Sequence, residues 1–537
     1  MYGKNLSIAL LLTTLATLTG CWIEINVPEG GHVTGGSPAY FCDSGQTCDI
    51  EVDDLQFSAN FNAVPWDGWV FMGWLSDWKH LCGGSSETCV LNTDNPYITA
   101  QPGVIELIAS DEVFFLQPVF VRGTPIDTAI AAVADPELRV CLQAVVDDIR
   151  DMVYAEELQR LECGNLRSLQ GLEVFVGLEQ LTIEDLENES IDLSPLAALV
   201  RLRTFALVGN GDDNTFEDTS HLAEQLAALT QLESLDLSRN DIHDLAPLAA
   251  PLTQMKGLTR LNLFGNVISD LGPLAQLRRL TSLNLLGNQI EDIGPLMAMT
   301  RLQFLELSGN SISDLNPLAA LGELRTLNII GSPIDDISPL QDLRQLQFLN
   351  LSGANISNLA PLASLRQLEV LRLRHNQITE LDALAGLNRL TWIELARNAI
   401  DDIGGLAGLT TVEYLDLRDN EISDLGPLVG MRRLQEVDLS ENAIVDVDPL
   451  AGLETLRELR LGNNAVVDVS PLTDLDELDF VDLAENGITE LGDLANSLGP
   501  KATLVLSGNP LSCEQIEQLQ SIENLNVLYA PLPEECI

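Results

Sequence analysis

Apolar and polar positions follow one rule over most of the second half of the chain. Leu258, Leu280, Leu302, Leu324, Leu346, Leu368, Leu390, Val412, Leu434, Leu456 and Leu478 stand 22 residues apart without interruption. The unit they head reads L-x-x-L-x-L-x-x-N-x-I-x-D-L-x-P-L-x-x-L. Its L-x-L pair sets two apolar side chains on one face of a short extended segment, because side chains alternate along a strand. One unit cannot bury that face alone, whereas stacked units form a parallel sheet over a shared interior. Looser copies near Leu158, Leu178, Leu202 and Leu232, and a last one near Lys501, bring the count to about sixteen across residues 158–510.

Each remaining position of the unit has a physical task. Asn240, Asn266, Asn288, Asn310, Asn376, Asn398, Asn420, Asn442, Asn464, Asn486 and Asn509 form an amide ladder suited to backbone groups where each coil turns, broken at Ser332 and Ala354. The segment after it turns the chain back. Gly272, Asn316, Ser338 or Asp448 is the expected cap, and Pro273, Pro317, Pro339 or Pro449 opens a short helical turn. The carboxylates at position thirteen, from Asp270 to Asp468, cap turns and add solvation rather than bind calcium, since one carboxylate per rung lacks the clustered oxygens of a calcium site. The acidic insert at 209–221 has no EF-hand spacing.

This unit closely resembles the leucine-rich repeats of internalins. The resemblance spans about three quarters of the chain and implies a solenoid of short parallel strands with a turn-rich opposite side, whose concave sheet face binds another protein.

Position three raises a separate question, because in "LTWIELARN" Leu390, Ile393 and Leu395 face inward and Trp392 therefore points outward into water. Across repeats that position holds Phe304, Thr326, Phe348, Val370, Trp392, Tyr414, Glu436, Glu458 and Phe480. A column of aromatics on one face reads as a partner-binding strip, since aromatic and arginine side chains dominate interface hot spots. Beside it, Arg372, Arg374, His375, Arg397 and Arg418 make a basic island, with Glu394 and Asp416 alternating among them. Two readings stand: a salt-bridge lattice that keeps the face soluble, or recognition of a carboxylate-bearing partner.

The N-terminal part follows another pattern. Residues 21–124 contain Trp22, Trp66, Trp69, Trp74 and Trp78 with short alternating runs punctuated by turn residues, which predicts a small all-β domain. Gly68, Trp69, Phe71, Gly73, Trp74, Cys82 and Cys89 resemble the internalin B-repeat, and Cys42 and Cys48 fit the upstream pair of its cysteine-containing versions. Most of those aromatics are expected in the core, with sugar stacking the alternative. Residues 125–157 form a linker and helical N-cap. Asp135 is its cap residue, and Leu138, Cys141, Leu142, Val145, Ile149 and Met152 form its apolar face. Residues 511–537 close the array.

The first twenty residues carry Lys4 and an apolar run too short to span a bilayer, ending in "LTGC". This resembles the bacterial lipoprotein box. It implies a signal peptide over 1–20, lipid attachment at Cys21 and, with Trp22 rather than Asp following, an outer-membrane lipoprotein that is surface-exposed or periplasm-facing. The other eight cysteines are expected to pair as neighbours in order, Cys42 with Cys48, Cys82 with Cys89, Cys141 with Cys163 and Cys513 with Cys536. No Cys-x-x-Cys pair or Cys/His cluster suggests a metal or redox centre.

Net charge changes the list of partners. Eighty acidic residues against 28 basic ones give −52, which repels nucleic acid phosphates and anionic lipid. No nucleophile elbow, HExxH helix or phosphate loop is present. The sequence thus predicts a monomeric, non-enzymatic, cofactor-free protein-binding protein. Its alternatives are carbohydrate binding by the N-terminal module and an inward-facing scaffold of the cell envelope.

Overall fold

The computed structural model describes residues 21–36, 39–52, 58–75, 80–82, 85, 88–92, 113–149, 152–185, 192–210, 219–499, 501–522 and 525–528. The leader, Trp78, most of the acidic insert and Cys536 lie outside the described residues. The chain divides into two compact units, Met1–Leu161 with Gln170–Leu178, and Glu162–Leu169 with Glu179–Ile537.

Among the described residues the first unit opens with nine strands: β1 (Cys21–Asn26), β2 (Gly31–Gly36), β3 (Ala39–Cys42), β4 (Thr47–Val52), β5 (Ser58–Pro65), β6 (Trp69–Trp74), β7 (Cys89–Asn92), β8 (Val113–Leu116) and β9 (Pro118–Arg122). They form three small sheets, ordered β4-β1-β8, β3-β2-β5-β7 and β6-β9. Alternate residues point inward, so Ile23, Ile25, Val33, Phe61, Trp74 and Leu116 are buried together. Cys42 is bonded to Cys48 and Cys82 to Cys89, which reinforces a module with a limited interior. Cys141, Cys163 and Cys513 are also disulfide-bonded.

Two helices follow, α1 (Ile126–Ala132) and α2 (Pro136–Asp148). Asp135 caps α2 as expected, its carboxylate accepting the Glu137 and Leu138 N–H groups at 2.8 and 3.0 Å. The apolar face is shorter than the spacing predicts. Leu138 and Leu142 are fully buried, but the helix stops at Asp148, the backbone at Ile149 turns extended and that side chain is exposed. The α1 segment, placed in the linker by the sequence reading, buries Ile126, Ala129, Ile130 and Val133, a short face at helical spacing.

The second unit is dominated by the repeats. Their sheet has seventeen strands in simple sequence order, the first Arg160–Gly164 and the last Asn526–Leu528, within the segment expected to be the cap. Neighbouring strands pair in parallel and in constant register, as Trp392 beside Tyr414 and Ile393 beside Leu415 illustrate. Short 3-10 turns such as Gly272–Leu274 and Asn316–Ala320 occupy the opposite side, replaced by α3 (Thr219–Leu226), α4 (Ala249–Gln254) and α5 (Leu494–Ser497) where repeats depart from the consensus. A last helix, α6 (Cys513–Gln520), starts in a capping box between Ser512 and Gln515.

The amide ladder works as a brace between coils. Asn288 donates to the Leu285 carbonyl of its own coil and the Leu263 carbonyl of the preceding one, both at 3.0 Å, and accepts the Ile268 N–H at 3.0 Å. The sequence offers two sets of turn caps, the position-thirteen carboxylates and the residues two places on, and the structure uses the first. The acceptor is the position-thirteen carboxylate, not the residue two places on: Asp270 accepts the Gly272 N–H and Asp402 the Gly404 N–H, each at 2.7 Å. A side chain two residues before the amide reaches it through an Asx turn, whereas glycine at position fifteen has no side chain to offer.

Candidate functional site on the open face of the repeat sheet

Strand alternation seals Leu390, Ile393 and Leu395 in the interior, each 0% exposed, and leaves positions three and five on the open face. Trp392 is outside the leucine core but does not stand free in water. Its ring lies on that of Tyr414 with centroids 3.7 Å apart and planes 8° from parallel, and both side chains are half-buried. The indole N–H donates to Glu394 Oε1 at 2.7 Å. Position five therefore anchors position three, a relation invisible until the strand is folded.

The basic residues are drawn into the same construction. Arg372 stands 5.5 Å from the Phe348 ring and 5.6 Å from the Trp392 ring. Its Nε is 3.2 Å from Glu394 Oε1, an ion-pair contact whose angle does not make it a hydrogen bond. Arg374 reaches Glu394 Oε2 at 3.6 Å and hydrogen-bonds Asp416. Arg397 pairs with Asp419 at 3.5 Å and Arg418 with Asp438 at 3.9 Å. His375 Nε2 lies 3.2 Å from Arg397 NH1. Each arginine of the island is thus matched to a carboxylate of this chain, so the geometry follows the lattice reading of the sequence and not the one that needs free guanidinium groups.

Electrostatics agree with the geometry. Glu394 and Asp416 are buried at 7% and 1% exposure, which only paired carboxylates tolerate. Burial lowers the Arg374 guanidinium, but its bond to Asp416 and the charges of Asp416 and Glu394 outweigh that and hold its pKa above the ordinary value. Burial, then Asp416 and Glu394, push the Tyr414 phenol up.

The aromatic strip is not continuous. Phe348, Trp392 and Tyr414 are brought together through Arg372, whereas Phe304 is exposed one rung beyond Thr326. Phe480 lies past Glu436 and Glu458 and carries its own cation, Arg460, at 4.9 Å. The sequence reading missed Arg460, although it stands before Phe480 at the same spacing as Arg372 before Trp392. His375 and Arg397 sit on the turn beside the sheet, at φ of 54° and 59°, where earlier repeats use glycine.

In the N-terminal module Trp74 is core, and Trp69 and Phe71 pack against it. Among the described residues the exposed aromatics there are Trp22, Phe41 and Trp66. Among the described residues, no group of three or more His, Cys, Asp or Glu side chains is placed to hold a metal ion, and no helix is long and apolar enough to cross a membrane.

Seventeen stacked parallel strands with an asparagine brace and 3-10 turns define a leucine-rich repeat solenoid. Comparison bears on the kind of solenoid. The family model described as leucine-rich repeats in two copies matches residues 256–296, 300–342, 344–386 and 410–452, and a single-repeat model matches 228–245. The chain is similar to the internalin inlF of Listeria monocytogenes, at 29% identity over 67% of this chain and 98% of that one, with a TM-score of 0.51. It also shares its fold with a leucine-rich repeat protein of Leptospira interrogans, at 22% identity, 69% and 96% coverage and a TM-score of 0.62. The functional domain of InlJ from Listeria monocytogenes, which includes a cysteine ladder, shares the fold at 20% identity, 72% and 82% coverage and a TM-score of 0.52. No curated protein matches the chain.

Proposed function

We propose that this chain is a non-enzymatic recognition protein that captures another protein on the open face of its repeat sheet, centred on Trp392 and Tyr414. The observation that carries this reading is the stacked pair itself. A half-buried indole, held by the buried Glu394 carboxylate and stacked on a half-buried phenol, presents a rigid aromatic surface at low entropic cost, which is the chemistry of interface hot spots. The repeat lattice does not need them: Thr326, Val370 and Glu458 hold the same position in other rungs.

We place the protein on the outer membrane as a monomer, held through lipid at Cys21, with the leader removed and the N-terminal module, of internalin B-repeat type, acting as a spacer. Its exposed Trp22, Phe41 and Trp66 leave sugar binding as the second reading, which binding of the isolated repertoire of surface glycans to the full chain would support. An inward-facing envelope scaffold is the third, and protease shaving of intact cells separates it: repeats that survive while known surface proteins are cut place the chain inside.

The main test compares capture by the wild-type chain with capture by the Trp392→Ala/Arg397→Ala variant, using envelope and host-cell extracts. A protein retained by the first and lost from the second, with the variant's repeat array still folded, supports the reading. Equal capture by both refutes this site.

A further inference from the structure

The aromatic strip contains one interrupted stretch whose chemistry specifies what completes it. From Phe348 to Tyr414 every place is filled. Val370 leaves a gap at position three of its rung, and the Arg372 guanidinium from position five covers it, 5.5 and 5.6 Å from the rings on either side. Phe480 is covered the same way by Arg460, which pairs with Glu458 at 2.7 Å.

Beyond Tyr414 the column stops. The next rung holds Glu436 at position three and Asp438 at position five. Asp438 therefore occupies, three repeats later, the place that Arg372 holds beside Val370, with the charge reversed. Among the described residues Glu436 has no ion-pair partner, while Asp438 accepts the Ser440 N–H at 3.0 Å through Oδ1 and meets Arg418 at 3.9 Å through Oδ2. Tyr414 and Phe480 are three rungs apart, about 14 Å at the usual strand spacing. Arg460 fills the end against Phe480, whereas among the described residues no guanidinium lies over the Tyr414 ring as one does over Phe348, Trp392 and Phe480.

The geometry points to a slot for an arginine side chain of a basic protein partner, lying on the outer face of Tyr414 with Glu436 and Asp438 as counter-ions. Such a guanidinium completes between chains the column that Arg372 completes within one. A planar cation fits better than an ammonium, because it stacks on the ring and pairs with carboxylates at its edge. A net charge of −52 draws a basic segment toward the face and repels an acidic one. This inference rests on the reading that the partner docks on the open face, and it replaces the carboxylate-bearing partner that free arginines would have selected.

The test is calorimetric titration of the full-length chain, at about 0.1 M salt, with a blocked octapeptide of alternating glycine and arginine. The same peptide with glutamate in place of arginine serves as a control. The wild-type chain binds the arginine peptide and not the glutamate peptide. Glu436→Arg, which supplies the missing cation from within, weakens binding about tenfold, as the loss of a close charge pair at an interface does. Glu436→Gln, which keeps the shape, weakens it less. Glu306→Arg makes the same change of net charge elsewhere on the face and leaves affinity within about twofold, since screening confines charge effects to about 10 Å.

Absence of binding, an equal loss in Glu436→Arg and Glu306→Arg, or no loss in either overturns the slot. Partner capture that depends on Trp392 while the peptide ignores Glu436 removes the slot alone. A peptide that obeys the pattern while capture ignores Trp392 removes the docking reading and leaves the slot.

Discussion

The Trp392 and Tyr414 rings stack with centroids 3.7 Å apart. That is closer than the roughly 4.8 Å between neighbouring strands, so the two side chains lean toward each other across their rungs. A lean of this kind needs something to hold it, and the Glu394 carboxylate on the indole N–H does so. The pair is thus a preorganised surface feature, separate from the leucine core beneath it.

That separation predicts unequal costs for adjacent residues. Ile393→Ala empties a site that is 0% exposed and is expected to cost about 2–5 kcal/mol. Trp392→Ala gives up a half-buried stacking contact of about 0.5–1.5 kcal/mol. Urea denaturation of the two variants checks the order, and an equal loss would place the indole in the structural core.

The asparagine brace predicts a second effect. Asn288→Ala leaves the Leu263 and Leu285 carbonyls and the Ile268 N–H without their side-chain partner in a buried setting. The expected loss is about 1–3 kcal/mol. Hydrogen exchange at Ile268 should accelerate in the variant while amides several coils away keep their protection.

Gly309 adopts φ +65°, and a Cβ there would meet the Gly287 Cα at 3.4 Å. Gly309→Ala is therefore expected to cost about 1–2 kcal/mol from the left-handed backbone. Glu441, at φ 57° in the equivalent place, already bears that strain, so Glu441→Gly is expected to raise the denaturation midpoint.

Asp336 and Asp468 accept the backbone N–H groups of Ser338 and Ser470, which, with the serine hydroxyls, hold both carboxyls below the ordinary aspartate range. A depressed folded pKa means that the stabilisation is complete above the unfolded value and disappears as pH falls through the folded one. Asn358 makes the same bond to the Ala360 N–H without titrating. The Asp336→Asn/Asp468→Asn variant should therefore lose less melting temperature than wild type between pH 4 and pH 2, and parallel curves would contradict the assignment.

The period alone placed the parallel sheet, the leucine interior, the turns and the amide ladder, because each follows from a residue type recurring in a fixed backbone environment. The N-cap helix was legible from Asp135 and Pro136, but its end was not, since Ile149 and Met152 continue the apolar spacing past the helix end at Asp148. The strip at position three was legible as a column. Its physics was not: Glu394 looked like a solvated acid alternating with arginines, whereas cross-strand pairing makes it a buried anchor for Trp392, Arg372 and Arg374. Pairing between positions one rung apart belongs to the folded register, and only the constant 22-residue spacing hints at it.

Docking on the open face is the central claim, and site-specific cross-linking tests it most directly. A photo-reactive amino acid at position 414 should form a covalent adduct with the captured partner, and one at position 297, where Met297 is 53% exposed away from the strip, should not. Adducts from position 297 with none from position 414 would contradict the account.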